Sequence, residues 1–241
     1  MAEQVTPYSS GEEKKAQVRT MFNRIAGRYD LLNRILSLGI DIYWRNVAIR
    51  ALKRYKPGRI LDVACGTGDF SIAALKTGAK EIIGVDIADQ MLEKGNAKMQ
   101  RKGLQDRIRL EHGDSEALVF PDEHFDAVTV AFGVRNFGDL EKGLNEMRRV
   151  LKKGAPVFIL EFSTPHVFPV KQLYQFYFST ILPALGRLIS GDAKAYTYLY
   201  ESVKAFPERA AFTDILKRCG YTQCRYKRLS FGICSLYMAE K

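Results

Sequence analysis

Between Arg59 and Phe162 the chain alternates two kinds of segment, and that alternation restricts the fold more than any other feature of the sequence. Short apolar runs rich in β-branched residues, RILDVA (59–64), EIIGVD (81–86), IRLEH (108–112), FDAVTVAF (125–132) and APVFILEF (155–162), read as strands. Residues 69–77, 89–102 and 139–152 carry helical spacing, the first and third opening on Asp69 and Asp139 in capping position. Such alternation predicts a parallel sheet with helices on both faces, because consecutive parallel strands need a crossover long enough to hold a helix. The tail YTQCRYKRLSFGICSLYMAEK (221–241) reads instead as two successive strands after a helix. The fold class is therefore α/β: a Rossmann-like, doubly wound, mostly parallel sheet with an antiparallel C-terminal edge. With 241 residues, 46% of them hydrophobic, the chain can bury one sizeable core and is read as a single domain over residues 1–241.

Two regions fall outside the alternation. In residues 12–55, Val18, Phe22, Ile25, Tyr29 and Leu32 recur at helical spacing on one face, and the region is read as an N-terminal helical lid. Residues 165–206 contain VKQLYQFYFSTILPALGRLIS, dense in aromatics but interrupted by Lys171, Gln172, Gln175, Pro183 and Arg187. That is too broken for the roughly 20 apolar residues of a bilayer span, so a helical insertion covering a substrate site is the reading adopted.

The formal net charge of +10 invites a polyanionic partner, either nucleic acid or an anionic membrane surface. The basic residues are dispersed, as in RYKPGR, MRRVLKKG and CRYKR, and no nucleic-acid motif accompanies them, so no nucleic-acid partner is expected. The N-terminus MAEQVTPYSSGEEKKAQ has no apolar core of secretory length, which predicts a cytoplasmic protein with reduced thiols at Cys65, Cys219, Cys224 and Cys234. Their spacing matches no zinc pattern, and neither metal nor disulfide is expected.

RILDVACGTGDF places Gly66 and Gly68 between Asp62 and Asp69. In a doubly wound sheet the loop after the first strand meets the ligand, and phosphates favour the helix amides there. Two features argue against a dinucleotide. Ser71 stands where the third glycine of the fingerprint belongs, and two carboxylates would repel a pyrophosphate in a partly buried crevice. A cationic ligand without phosphate suits the loop better, and S-adenosylmethionine, with its ammonium, sulfonium, ribose and adenine, is such a ligand. On this reading Asp62 attracts the ammonium, and the backbone of Gly66, Thr67 and Gly68 passes close to the amino-acid part. Asp86, ending the second strand, accepts the ribose hydroxyls, while Asp114 and Ser115, ending the third, receive the adenine amine. Asp86 alone fits NAD equally well, and each aspartate by itself is a common cap or turn residue.

LDVACGTGDF, GVDIADQML and GDSEALVFPDEHFDAVTVAFGVRNFGD resemble the class I methyltransferases. FGVRN, MRRVLKKG, LEFSTP and YLYESVKAFP together resemble the family that C-methylates demethylmenaquinol and the benzoquinol precursor of ubiquinone, with the match running from about Val18 to the C-terminus. The resemblance implies a class I methyltransferase fold, S-adenosylmethionine as cofactor, and cofactor contacts at Thr67, Asp86, Asp114 and Ser115. It further implies an enzyme of menaquinone or ubiquinone biosynthesis acting on a prenylated quinol. Demethylmenaquinol is the first acceptor, and the 2-polyprenyl-6-methoxy-1,4-benzoquinol precursor is the alternative. Two positions depart from the pattern: Cys65 stands where many members carry Gly, and Ala131 where some carry a Ser that contacts the cofactor. An RNA methyltransferase, and a nicotinamide-binding oxidoreductase or non-catalytic module of the same fold, are the competing classes.

A quinol ring is electron-rich, and loss of a hydroxyl proton makes the neighbouring carbon a better nucleophile. Arg135 and Asn136, just past the fourth strand, and Tyr29 and Asp30 in GRYDLLNR are the acceptor-side candidates. Arg135 would stabilise a phenolate-like oxygen, Asn136 would orient it, and Asp30 or a water would take the proton. The structural alternatives are an Arg–Asn bridge at a strand end, a core role for Tyr29 and a surface position for Asp30. Glu161 and His166, flanking LEFSTPH, are weaker candidates. Tyr174, Phe176, Tyr177, Phe178, Ile181 and Leu185 are read as a groove for a polyprenyl tail. Peripheral contact at the inner face of the membrane is one expectation for this stripe, and burial in a homodimer is the other.

Overall fold

A computed structural model describes residues 5–8, 11–37, 39–181 and 193–241. The five apolar runs become β1 (Arg59–Val63), β2 (Glu81–Asp86), β3 (Ile108–His112), β4 (Ala127–Ala131) and β5 (Pro156–Phe162), and the tail supplies β6 (Thr222–Leu229) and β7 (Cys234–Glu240). One seven-stranded sheet results, in the order β3-β2-β1-β4-β5-β7-β6. The first five strands run parallel, and β7 lies antiparallel between β5 and β6. Strand order reverses between β1 and β4, which opens a crevice at the carboxyl ends of these strands. β4 starts two residues later than the apolar pattern suggests. Phe125 makes only an isolated bridge to Leu151, and the Asp126 carboxylate accepts the amide N–H groups of Gly58 and Arg59.

The pleat sorts the strand residues between two cores. Leu61, Val63, Val128 and Val130 pack with Leu144 and Met147 of α6 (Leu140–Val150) and Phe212 and Leu216 of α9 (Ala210–Arg218). Ile60, Ile82 and Phe158 face the other way, onto Trp44, Ile49 and Leu52 of α3 (Ile40–Leu52), Phe70 of α4 (Asp69–Ala74) and Met99 of α5 (Asp89–Arg101). Each fully buried aliphatic side chain contributes about 1.5–3 kcal/mol, which is why the sheet fixes the crevice rigidly. Asp139 caps α6, its carboxylate accepting the Lys142 N–H at 3.0 Å.

The N-terminal apolar stripe is not one continuous helix. α1 (Lys14–Ile25) gives way to a 3-10 turn at Ala26–Arg28, and Tyr29 opens α2 (Tyr29–Leu36). Val18 and Met21 of α1 bury against Tyr174, Phe178 and Tyr198, so α1 packs on the insertion as well as over the crevice. The Leu32 side chain lies outside the described residues. Residues 165–206 supply α7 (Val170–Phe176), continuing into a π turn at Tyr177–Ile181, and α8 (Ala193–Ala205). Pro183, Leu185 and Arg187 lie outside the described residues. Among the described residues no helix is long and apolar enough to cross a membrane.

Candidate active site

The crevice beyond β1 to β4 holds the acidic residues the sequence singles out. Asp86, at the end of β2, accepts the Gly66 N–H on Oδ2 at 2.8 Å and the Ala88 N–H on Oδ1 at 2.9 Å. Burial pushes its carboxyl above the usual range, and these backbone donors oppose the rise. Gly66 takes φ 56°, which favours glycine and turns its amide toward Asp86. Asp114 and Ser115 line the same cleft, as does Ala131, whose methyl offers no hydrogen bond.

Two groups in this cleft escape sequence reasoning. Lys15 of α1 reaches Asp114 Oδ2 and Glu116 Oε2, each at 2.8 Å. Against the effect of burial, that ammonium holds the Asp114 carboxyl below its ordinary value. Glu116 is buried and accepts the N–H groups of Gly138 and Asp139 on its other oxygen. A lysine on a polar helix and a glutamate in a loop read as solvated residues, so no local pattern announces either.

Asp62 lies deeper. It is 1% exposed, and its carboxylate accepts the Ser71 hydroxyl at 2.6 Å and the Thr129 hydroxyl at 2.9 Å. Burial pushes its pKa up to about 6, against the pull of those two hydroxyls. It faces a small recess shared with Thr67, Asp69, Arg45 and Tyr29.

The structure does not bring Asp30 to Arg135 and Asn136. Asp30 accepts the Thr67 hydroxyl at 2.5 Å and pairs with Lys98 at 2.6 Å, on an outer groove away from the aromatic cavity described below. Lys98 also reaches Asp69 at 2.9 Å and Thr67 Oγ1 at 3.0 Å, so α2, the glycine loop and α5 are tied at one ammonium. Gly68 is likewise packed rather than presented: it has φ 81°, and a Cβ there would lie 2.6 Å from Met99 Cε.

Arg135 and Asn136 sit at the exit of β4. The Arg135 guanidinium pairs with Glu161 at 2.7 Å and donates to the Phe132 carbonyl at 2.6 Å, above the Phe162 ring. Its backbone carbonyl accepts Lys14 Nζ at 2.9 Å, and burial together with the Arg135 charge lowers the Lys14 pKa to about 8. Asn136 Oδ1 accepts the Tyr198 hydroxyl at 3.0 Å. Glu161, a weaker candidate from sequence, is thus the buried partner of Arg135. His166 is exposed, 3.6 Å from Glu208 and outside the site.

Beside Arg135 opens a cavity of about 380 Å³, walled by aromatic rings. Phe132 and Phe162 stack at 4.5 Å, Trp44 stands 5.9 Å from each, and Tyr174 stacks on Phe178 at 4.2 Å. Tyr174, Tyr177 and Phe178 line this cavity as the sequence suggests. Phe176 and Ile181 do not: Phe176 faces outward, 58% exposed, because it falls on the opposite side of α7, and Ile181 lies past the lining. Tyr29 borders the cleft, the recess and the cavity, and Phe132 borders the cleft and the cavity, so Tyr29 is a junction residue rather than part of the core.

Residues 10–241 match the ubiE/COQ5 methyltransferase family. The chain belongs to this family. It is 47% identical over 240 residues to the demethylmenaquinone methyltransferase of Bacteroides fragilis, covering 99% of this chain and 98% of that one. It is 44% identical to the ubiquinone/menaquinone biosynthesis C-methyltransferase UbiE of Geobacter sp. strain M21, over 95% of this chain and 98% of the relative. A SAM-dependent methyltransferase from Thermotoga maritima superimposes with a TM-score of 0.60 at 19% identity, covering 92% and 98% of the two chains, and shows the shared fold. The family membership makes the chain a methyltransferase, and its site is an acidic cleft joined to an apolar, aromatic cavity.

Proposed function

We propose that this protein transfers a methyl group from S-adenosylmethionine to a ring carbon of a prenylated quinol, with demethylmenaquinol as first acceptor and the methoxybenzoquinol precursor as second. One observation carries the reading: Phe22, Tyr29 and Phe132 line both the acidic cleft and the aromatic cavity, so a cationic nucleoside and a flat apolar ring would meet there. The names of the relatives support the choice of quinol.

The cleft suits the donor chemically. Asp86 uses one lone pair of each oxygen on backbone amides, which leaves others for two ribose hydroxyls. Asp114 and Ser115 lie further along for the adenine amine, and the charged form of Asp62 favours a cation in the recess. With α1 in place the cleft holds only about 60 Å³, below the roughly 300–1,000 Å³ of small-molecule pockets. Within residues 12–55, α1 therefore acts as a lid that withdraws to admit the cofactor, and within residues 165–206, α7 and α8 cover the acceptor cavity.

Bound there, the cofactor supplies an electrophilic methyl group on a sulfonium. Arg135 stabilises the negative charge that grows on the acceptor oxygen, and Asn136, held by Tyr198, orients it. Asp30 is committed to Thr67 and Lys98, so the proton leaves to water at the junction. The apolar walls hold the ring in line with the methyl group, which lowers much of the barrier.

Leu31, Ile42, Tyr43, Phe168 and Phe176 are exposed, as are Ile40 and Leu173 of the cavity lining. With the net charge of +10, this surface supports peripheral contact with an anionic membrane from which the prenyl tail enters. Vesicle flotation tests that contact, and no flotation with anionic lipid removes it. For the reaction itself, methyl-labelled cofactor with each reduced quinol should place label on the ring carbon. Absence of label from both quinols overturns the proposal.

A further inference from the structure

Among the described residues that line the aromatic cavity, some carry buried polar donors that the protein leaves unused. Tyr174 is 6% exposed, and its buried hydroxyl has no hydrogen-bond partner among the described residues. Arg135 Nε is in the same condition on the same cavity wall. Buried polar groups are almost always paired, so unpaired donors on residues around one apolar space, with Arg45 Nε as a third, point to a ligand that satisfies them. The Tyr174 ring is fixed by its stack on Phe178 at 4.2 Å and 29°, which holds the hydroxyl in place. Burial keeps that hydroxyl protonated, with the Glu208 carboxylate acting in the same direction and Arg135 near enough to oppose it.

We infer that the Tyr174 hydroxyl donates to the second ring oxygen of the acceptor, the one beside the prenylated carbon, and so determines specificity for a ring with two oxygens. This rests on the quinol reading above. Arg135 stands next to Asn136, which borders the cofactor cleft, whereas Tyr174 borders only the aromatic cavity. The oxygen beside the reacting carbon therefore falls to Arg135, and the opposite one to Tyr174. Arg45 Nε is a third unpaired donor, but Arg45 also borders the recess of Asp62 and Thr67 and so belongs to the cofactor side.

Trp44 is the only tryptophan and lines the cavity, so its fluorescence reports occupancy. Anaerobic titration would compare 2-geranyl-1,4-dihydroxynaphthalene with 3-geranyl-1-naphthol, which lacks the hydroxyl beside the prenylated carbon. The wild type should bind the diol about tenfold more tightly. Tyr174→Phe should bring the diol down to the affinity of the mono-ol while mono-ol affinity, cofactor affinity and melting temperature stay unchanged. A Tyr174→Phe protein that keeps the preference, or a wild type that has none, overturns the assignment. So does a variant that loses mono-ol binding as well, because a role in shaping the cavity would then explain both losses. Failure of the wild type to bind either naphthol overturns the quinol reading itself.

Discussion

The Arg135 guanidinium and the Glu161 carboxylate meet at 2.7 Å with their side chains 7% and 0% exposed. A pair this deep ties chemistry to stability, since removing one partner strands the other charge. Arg135→Ala should cost about 3–5 kcal/mol of unfolding free energy as well as turnover. Arg135→Met combined with Glu161→Gln should recover most of the stability and none of the activity. Urea melts and turnover assays on the three proteins check this. Activity returning in the double variant would remove Arg135 from the chemistry.

Asp62 makes stability depend on pH in the direction opposite to a salt-bridged carboxylate. Its pKa of about 6 exceeds the ordinary 3.8, so the native state binds the proton more tightly than the unfolded chain does. The stabilisation from that protonation is complete below about pH 4, declines as pH rises and is gone above about pH 6. The difference corresponds to about 3 kcal/mol. Asp62→Asn should therefore raise the urea midpoint at about pH 8 and leave it near wild type at about pH 4. Calorimetry on the same variant addresses function: unchanged cofactor affinity would remove Asp62 as the group that attracts the ammonium.

The parallel strands were legible because β-branched apolar runs of strand length announce themselves locally, and Asp86 and Asp114 because they end such runs. What could not be read were partners brought together only by the fold. Lys15 and Asp114 stand 99 residues apart in sequence, and Arg135 and Glu161 stand 26 apart. The break in the N-terminal stripe did leave a signal, Gly27 within the turn that ends α1, but apolar spacing alone runs straight through it. The sequence presents the glycine loop as one ligand-approach device, whereas Gly66 turns its amide to Asp86 and Gly68 packs against Met99.

That division can be measured. Gly68→Ala places a methyl 2.6 Å from Met99 Cε and 3.0 Å from Leu110 Cδ1 at φ 81°. Overpacking and the positive φ together should cost about 2–4 kcal/mol. Gly66→Ala at φ 56° meets Met91 Cε at 3.3 Å and should cost only about 1–2 kcal/mol, while weakening cofactor binding because Gly66 borders the cleft. Thermal melts and calorimetry on both variants check the contrast. Equal stability losses would contradict the packing role given to Gly68.

Lys15 joins α1 to the floor of the cleft through Asp114 and Glu116, and the cleft is too small for a nucleoside while α1 stays down. Its side chain is 32% exposed, as is nearly so that of Asp114 at 33%, so solvent screens the pairing and the latch contributes about 1 kcal/mol. Lys15→Met should therefore leave the fold intact and speed both entry and release of S-adenosylhomocysteine about fivefold, with little change in equilibrium affinity. Raising the ionic strength should accelerate exchange in the wild type and have a smaller effect in the variant, because the charges that salt screens are then already gone. Stopped-flow fluorescence on Trp44 can follow both. Exchange rates that ignore the substitution and the salt would show that α1 does not gate the cleft through this lysine.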